Sequence, residues 1–532
     1  MKREVNHRNK EPRKGQGQRA NGKERPPAMR QHPPATIKRA RLLASVAGLL
    51  FSGASLLAQQ SSPWGTGVVL PELPEARSPF VLNAVTDPET GKSAFSYRGA
   101  EVPPVMRMPP GSTLHLVYEN HLTAYSHELC VDGPCRNMTN LHFHGLHVSP
   151  NAPQDDVLSM MAMPGQSLHY SVVIPRYEAP GLYWYHTHPH GESYQQSLDG
   201  MSGAIVIDGI DRYVPEVRSM KEQILVLRDA VLDSPGVDSH RIRQQVELSP
   251  TRCGLAAGSP ERAFTVNGVV RPRIAIAPGE RQFWRIVNAS PDLYADLYLD
   301  TETLHVVAFD GMPIAYHDPQ RHQEAFTHLL LSPAGRLELI VTGPPAGSHP
   351  SLRTACVDTG PAGDPNPAMV LADLDNSSRH PPSGKLTPTT PGPAVHKVVP
   401  PATLIRVEHA PAQFTVTFTE DNAGFYINGR KYSPTGGPML TVKIGHYEHW
   451  QVLNASKEMH PFHIHQVHFL VYSVNGKKPD PEEWMDTVNV VPGGTVDLVM
   501  DFTDPLIRGM SLFHCHLLKH EDKGMMAKIL FQ

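Results

Sequence analysis

Four histidine-rich motifs stand out in a 532-residue chain that holds 30 histidines. They read His142-Phe143-His144-Gly145, His186-Thr187-His188, His460-Pro461-Phe462-His463-Ile464-His465 and His514-Cys515-His516, the last followed by His520 and Met525. Imidazole is the commonest nitrogen ligand for copper and zinc. On a strand, residues i and i+2 share a face, so each His-x-His pair sets two rings side by side. Neutral imidazoles packed this way want a cation between them. Cys515, His520 and Met525, with His460 from another strand, offer a thiolate, two imidazoles and a thioether, the donor set of a blue-copper electron-transfer centre. His142, His144, His186, His188, His463, His465, His514 and His516 remain, and eight imidazoles suit a cluster of three copper ions, four ions in all. A lone His-x-His is weak evidence for a metal, but three histidines in six residues are hard to explain as core or as a solvated face.

The spacing also implies a connection. His514 and His516 flank Cys515 and face the opposite side of its strand, so two peptide links would join both donor sets. A small reductant would give up single electrons near the ring of His460 or His520, and O2 would be reduced to two waters at the cluster.

Such donors need strands to hold them, and the chain is patterned accordingly. Segments 110–120, 278–288 and 445–454 are three copies of one pattern, a turn followed by an alternating strand that ends in Asn. Two copies follow a strand ending in Asn-Gly. Period-2 alternation beside Gly, Pro and Asn marks antiparallel strands joined by tight turns. A repeat of more than about 100 residues is too long for a solenoid and fits successive β-sandwiches. With 52 prolines, 41 glycines and only 19% charged residues, the chain is not a coiled coil. No long 3.6-residue period follows residue 60. The expected organisation is a leader over 1–58, sandwiches over 61–210, 211–372 and 401–532, and a Pro-rich surface linker over 373–400.

Charge is uneven. The formal net charge is -4, yet residues 1–41 alone carry +10, so the body is acidic and offers no footprint for nucleic acid. Lys38, Arg39 and Arg41 precede a short apolar run over 42–57 and then Ala58-Gln59-Gln60, the order of a secretory signal peptide. Export to the periplasm or beyond is therefore expected, and Met29 would start a leader of ordinary length. An oxidising compartment makes disulfides Cys253–Cys356 and Cys130–Cys135 the expected pairings of the four remaining cysteines.

With these motifs the chain resembles the three-domain multicopper oxidases of the bacterial, laccase-like type, over residues 65–532. The resemblance implies an all-β fold of three consecutive cupredoxin-like Greek-key β-sandwich domains. It implies a type 1 copper on His460, Cys515, His520 and Met525, and a type 2 copper on His142 and His463. It divides the type 3 pair between His144, His186 and His516 on one ion and His188, His465 and His514 on the other. It also implies an acidic proton relay just after the last type 1 histidine, where Glu521 stands, and a second acid after the first motif. Asp155 and Asp156 both fit that second position. Departures are modest: Phe143 stands where Trp is commoner, and an axial Met525 implies a lower potential than a non-coordinating residue would give.

Three substrate readings share this chemistry. The leading one is oxidation of phenols or aromatic amines. The next is a metallo-oxidase for Cu(I), Mn(II) or Fe(II), for which Met160, Met161 and Met163 form the only dense thioether cluster, read mainly as core filling. Bilirubin-oxidase or nitrite-reductase-like activity is the third. An electron carrier or a copper-free division scaffold would not need the eight further histidines. A monomer is expected, because one chain supplies every ligand.

Overall fold

The computed structural model describes residues 67–124, 137–231, 262–300, 302–364, 366–377 and 394–532. The expected leader, and Cys130, Cys135 and Cys253 of the expected disulfides, lie outside these residues. Cys356 is disulfide-bonded, whereas Cys515 is a free, buried thiol.

Six sheets pair into three cupredoxin-like β-sandwiches. In the first, one sheet runs Glu75–Ala76, Val105–Met108, Ser202–Ile207, Leu182–His186, His142–His144, and faces Ser93–Ser96, Phe80–Thr86, Thr113–His121, Ser167–Val173. The second sandwich is built around Lys221–Val231, Arg281–Asn288 and Arg336–Thr342 on one side and Met369–Asp375 with Ser351–Ala355 on the other. In the third, one sheet is centred on His446–Asn454 and Thr495–Phe502; the other runs Leu440–Val442, Met526–Phe531, Gly509–Cys515, His460–Ile464, Thr487–Val490. Each sandwich has its own apolar core, led by Tyr118, Trp284 and Trp450 among the largest buried side chains.

The three sequence repeats become the same device three times. Each is a strand, Thr113–His121, Arg281–Asn288 or His446–Asn454, with a fully buried asparagine at or near its end. Asn120 donates to the carbonyls of Asn137 and Ala162, Asn288 to those of Leu293 and Leu331, and Asn454 to those of Glu458 and Val490. Each side-chain oxygen takes the backbone N–H two residues on. One amide thus satisfies three backbone groups where the chain leaves the sheet, groups that would otherwise cost about 1–3 kcal/mol each if buried unpaired.

Short helices supplement the strands. Ser193–Asp199 and Leu518–Asp522 carry too few turns to print a helical period on the sequence. Pro401–Glu408 follows the Pro-rich segment. Its expected start is corrected, since 373–375 complete the strand Met369–Asp375, and its other described part, 394–400, is fastened rather than loose: Val395 exchanges hydrogen bonds with Tyr213, and Lys397 lies against Asp501 at 2.5 Å.

Candidate metal centres

The sheet of the third sandwich that holds Gly509–Cys515 and His460–Ile464 serves two centres, one on each face. Cys515 pairs in register with Phe462, and His514 pairs with His463. Alternation then puts Cys515 with His460 on the core side, and His514 with His463 on the other.

On the core side, His460, Cys515 and His520 bring their ligand atoms within 4.8 Å of one another. His460 Nδ1 lies 3.4 Å from Cys515 Sγ and 3.4 Å from His520 Nδ1. The outer nitrogens are fixed: His460 Nε2 donates to Ser456 Oγ at 2.8 Å, and His520 Nε2 faces Glu458 at 3.4 Å. The Leu517 N–H points at the sulfur from 3.5 Å. Met525 is fully buried, and its backbone pairs with both Cys515 and His520. Of the two rings the sequence left open for electron entry, His460 is 0% exposed and His520 5%, so His520 is nearer the surface. Phe425 stacks on it at 3.8 Å. Burial pushes the Cys515 thiol well above its ordinary value, so a thiolate here requires a cation beside it.

On the other face, all eight remaining histidines are buried and converge. His142–His144 is the edge strand of its sheet and pairs with Leu182–His186, which sets His142 opposite His186. The third sandwich supplies His463, His465, His514 and His516. Most rings are pinned from outside through one nitrogen. His142 Nδ1 donates to Asp155 at 3.0 Å, His144 Nε2 to Asp486 at 3.1 Å, and His463 Nδ1 to the Asp486 carbonyl at 2.8 Å. His186 Nδ1 donates to the Thr187 carbonyl, and His514 Nδ1 to that of Cys515. The inward nitrogens of His142, His144, His186 and His463 have no partner, nor does either nitrogen of His516. An unpaired buried polar atom costs about 1–3 kcal/mol, and coordination to a metal removes that cost. Burial, reinforced by neighbouring rings, holds His144, His186, His188, His465, His514 and His516 well below the ordinary imidazole range. They are neutral, as ligands must be. His188, His465 and His514 form one such group and His142, His463 and His465 another. The residues therefore fit a mononuclear and a trinuclear copper site.

The acids differ in place. Asp155 is buried against His142, accepts the Phe143 N–H, and accepts from Gln466 of the third sandwich at 2.6 Å. Asp156 instead closes its own turn by accepting from Leu158 and Ser159. Glu521, fully buried, stands 3.3 Å from His514 Nδ1 and 3.5 Å from His188 Nδ1. Burial and the adjacent Asp522 raise it well above the carboxylate range. Met160 belongs to the core of the first sandwich. The loop 432–437 lies beside Met526 and Lys528, with Tyr432 against His190 at 4.7 Å.

A third group was not visible in the sequence. Arg336, from the histidine-poor second sandwich, reaches in and donates to Asp486 at 2.8 and 2.6 Å and to the Asp310 carbonyl at 2.8 Å. Burial disfavours the Asp486 carboxylate, but the guanidinium outweighs it and holds the group well below the usual range. Gly145, at φ +86°, makes room: a Cβ there would come within 2.4 Å of Arg336 and 2.7 Å of Asp486.

Two family profiles described as multicopper oxidase match residues 83–211 and 407–532. A multicopper oxidase of Staphylococcus haemolyticus is 24% identical over 488 residues, 88% of this chain and 93% of that protein. A laccase of Haloferax volcanii is 26% identical, covering 84% of this chain and 78% of its own. Among solved structures, a Campylobacter jejuni multicopper oxidase described as a metallo-oxidase is similar with a TM-score of 0.65 and 26% identity, over 88% of this chain and 96% of that one.

Proposed function

Because this chain belongs to the multicopper oxidase family and is a copper-dependent oxidoreductase, we propose that it acts as a laccase-like oxidase, withdrawing electrons singly from a small phenol or aromatic amine and reducing O2 to two waters. The observation that carries this is Cys515: its side chain joins His460 and His520 on one face while its two chain neighbours join the eight-histidine cluster on the other. Four bound copper ions would supply one-electron storage at the first set and four-electron reduction of O2 at the second.

The chain's own residues do the rest. His520 is the ring through which a donor gives up its electron. Glu458, 3.4 Å from His520 Nε2, is placed to accept a hydrogen bond from a donor O–H or N–H docked there. Asp155 and Asp486 fix which nitrogen of His142 and of His144 faces inward. Glu521 holds a proton beside His188 and His514, where each O2 reduced consumes four.

A second reading is favoured by one observation. Burial, then Asp364, Glu420 and Asp292, raise Glu458 to about 8, and Glu420 lies 4.0 Å from His460 Nε2. Acids that disfavour one another's charge beside the donor edge suit a cationic substrate such as Fe(II) or Mn(II). Turnover with a phenol, Cu(I), Mn(II) and Fe(II) on fully copper-loaded enzyme decides between them. Saturable phenol oxidation without metal stimulation is expected; preference for a metal ion would replace the first reading with the second.

Export and a monomeric state belong to the same proposal. Three basic residues ahead of the apolar run support export, and amino-terminal sequencing of the mature protein tests it; sedimentation tests the monomer.

A further inference from the structure

A chain of titratable groups separate from Glu521 and Asp155 joins all three sandwiches behind His144 and His463. It begins at Glu178, buried in the first sandwich. The Glu178 carboxylate accepts the His147 backbone N–H at 3.3 Å and faces His147 Nδ1 at 3.3 Å. His147 Nε2 lies 3.3 Å from Nδ1 of His468, in the third sandwich, with the two rings 4.8 Å apart. His468 Nε2 then reaches the Asp310 carbonyl of the second sandwich at 3.0 Å and the Asp486 carboxylate at 3.5 Å.

Counting protons fixes the direction of every bond. A carbonyl and a carboxylate only accept, so His468 Nε2 carries a hydrogen. Burial, and next the charge of His147, hold His468 well below the ordinary range, so it is neutral and its Nδ1 accepts. His147 must then donate from Nε2, and it must also donate from Nδ1 because Glu178 only accepts. Only the imidazolium satisfies both ends. The far end is the same Asp310 carbonyl that Arg336 grips, and Arg336 holds the Asp486 that orients His144 and His463.

We propose that His147, as an imidazolium, is a positioning residue for the eight-histidine cluster: anchored by Glu178, it fixes the hydrogen-bond direction through His468 and so steadies the Asp310–Arg336–Asp486 hub. Loss of its proton sets a lone pair against Glu178 or against His468 Nδ1, and the hub loosens. Burial alone would lower His147, but Glu178 outweighs it, aided by Asp504 and opposed by Lys397, and the net direction is upward. Of the further groups near it, the neutral His317 and His468 add no positive charge. A raised folded value means that the stabilisation is full below the unfolded imidazole value, about 6.5, and is lost as pH rises through the folded one.

The test has two arms on the holoenzyme, and only the first rests on the copper-oxidase reading. In the first, the electron paramagnetic resonance of the type 2 copper is followed against pH. The wild type is expected to show one transition, with a midpoint above the ordinary imidazole value. His147→Gln should lose it while the blue absorption stays, and Glu178→Gln should keep it at lower pH. Persistence of the wild-type transition in His147→Gln, or an unmoved midpoint in Glu178→Gln, overturns the proposal; should His147→Gln fail to fold, Glu178→Gln decides alone. In the second arm, the thermal midpoint of wild type minus that of Glu178→Gln is measured from pH 5 to 9. A difference that shrinks as pH rises supports the clasp; a constant difference overturns it. A protein that takes up no copper would give no resonance at any pH, which sinks the oxidase reading, while the thermal arm still judges the clasp.

Discussion

The mononuclear and trinuclear sites share one sheet but are held by opposite strategies. His460, Cys515, His520 and Met525 all come from one sandwich, within a core that includes Phe462, Phe513 and Leu517. The eight-histidine cluster is assembled from two sandwiches and braced by a third, through charged and polar bonds: Asp155 with Gln466, Asp486 with His144, Arg336 with Asp486. An electron-transfer site needs a geometry that does not change, which a closed apolar core provides. A site that must admit O2 and protons cannot be sealed in that way. It lies where sandwiches meet, with ionisable groups at its edge.

The largest effect should come where the two centres are joined. Cys515→Ser is expected to take both the blue absorption and O2-coupled turnover to background while the fold survives; residual turnover would mean electrons reach the cluster by another route. Arg336→Met separates the centres. It leaves Asp486 and Asp310 buried without their cation, a change worth about 3–5 kcal/mol, and should reduce copper at the cluster with the blue absorption intact. Equal loss at both would show that they are not independently held. Glu521→Gln should leave anaerobic reduction by substrate untouched and slow reoxidation by O2 by about 10²–10⁴-fold, as stopped-flow absorption would record. Gln466→Gly is the mildest. Gln466 sits at φ 61°, so glycine relieves about 1–2 kcal/mol of left-handed strain but forfeits a bond to the Asp155 carboxylate of about 1.5–3 kcal/mol together with the one it accepts from the Ser511 hydroxyl. The thermal midpoint should move by only a few degrees, and a large drop would make the Gln466 side chain the principal clasp.

These contrasts also mark what the sequence could convey. Metal ligands announce themselves because their types are rare and their strand spacing is rigid; His142 to His520 were legible for that reason. The repeat ending in Asn120, Asn288 and Asn454 was legible because one packing problem recurs three times. Arg336, Asp310 and Asp486 were not, since a lone buried charge has no neighbours in the chain to give it away, and its partners lie up to 342 residues off. His147 and His468 each stand three residues beyond a ligand, outside the four motifs, and no spacing singled them out. Adjacent Asp155 and Asp156 were indistinguishable until the backbone pointed one inward.

Strands Gly509–Cys515 and His460–Ile464 hydrogen-bond directly to each other and carry ligands of both centres. Fraying of that single ladder would therefore erase colour and oxygen reactivity in one event. Heat inactivation by that route would be all-or-none, and amide exchange along those two strands would serve as its clock.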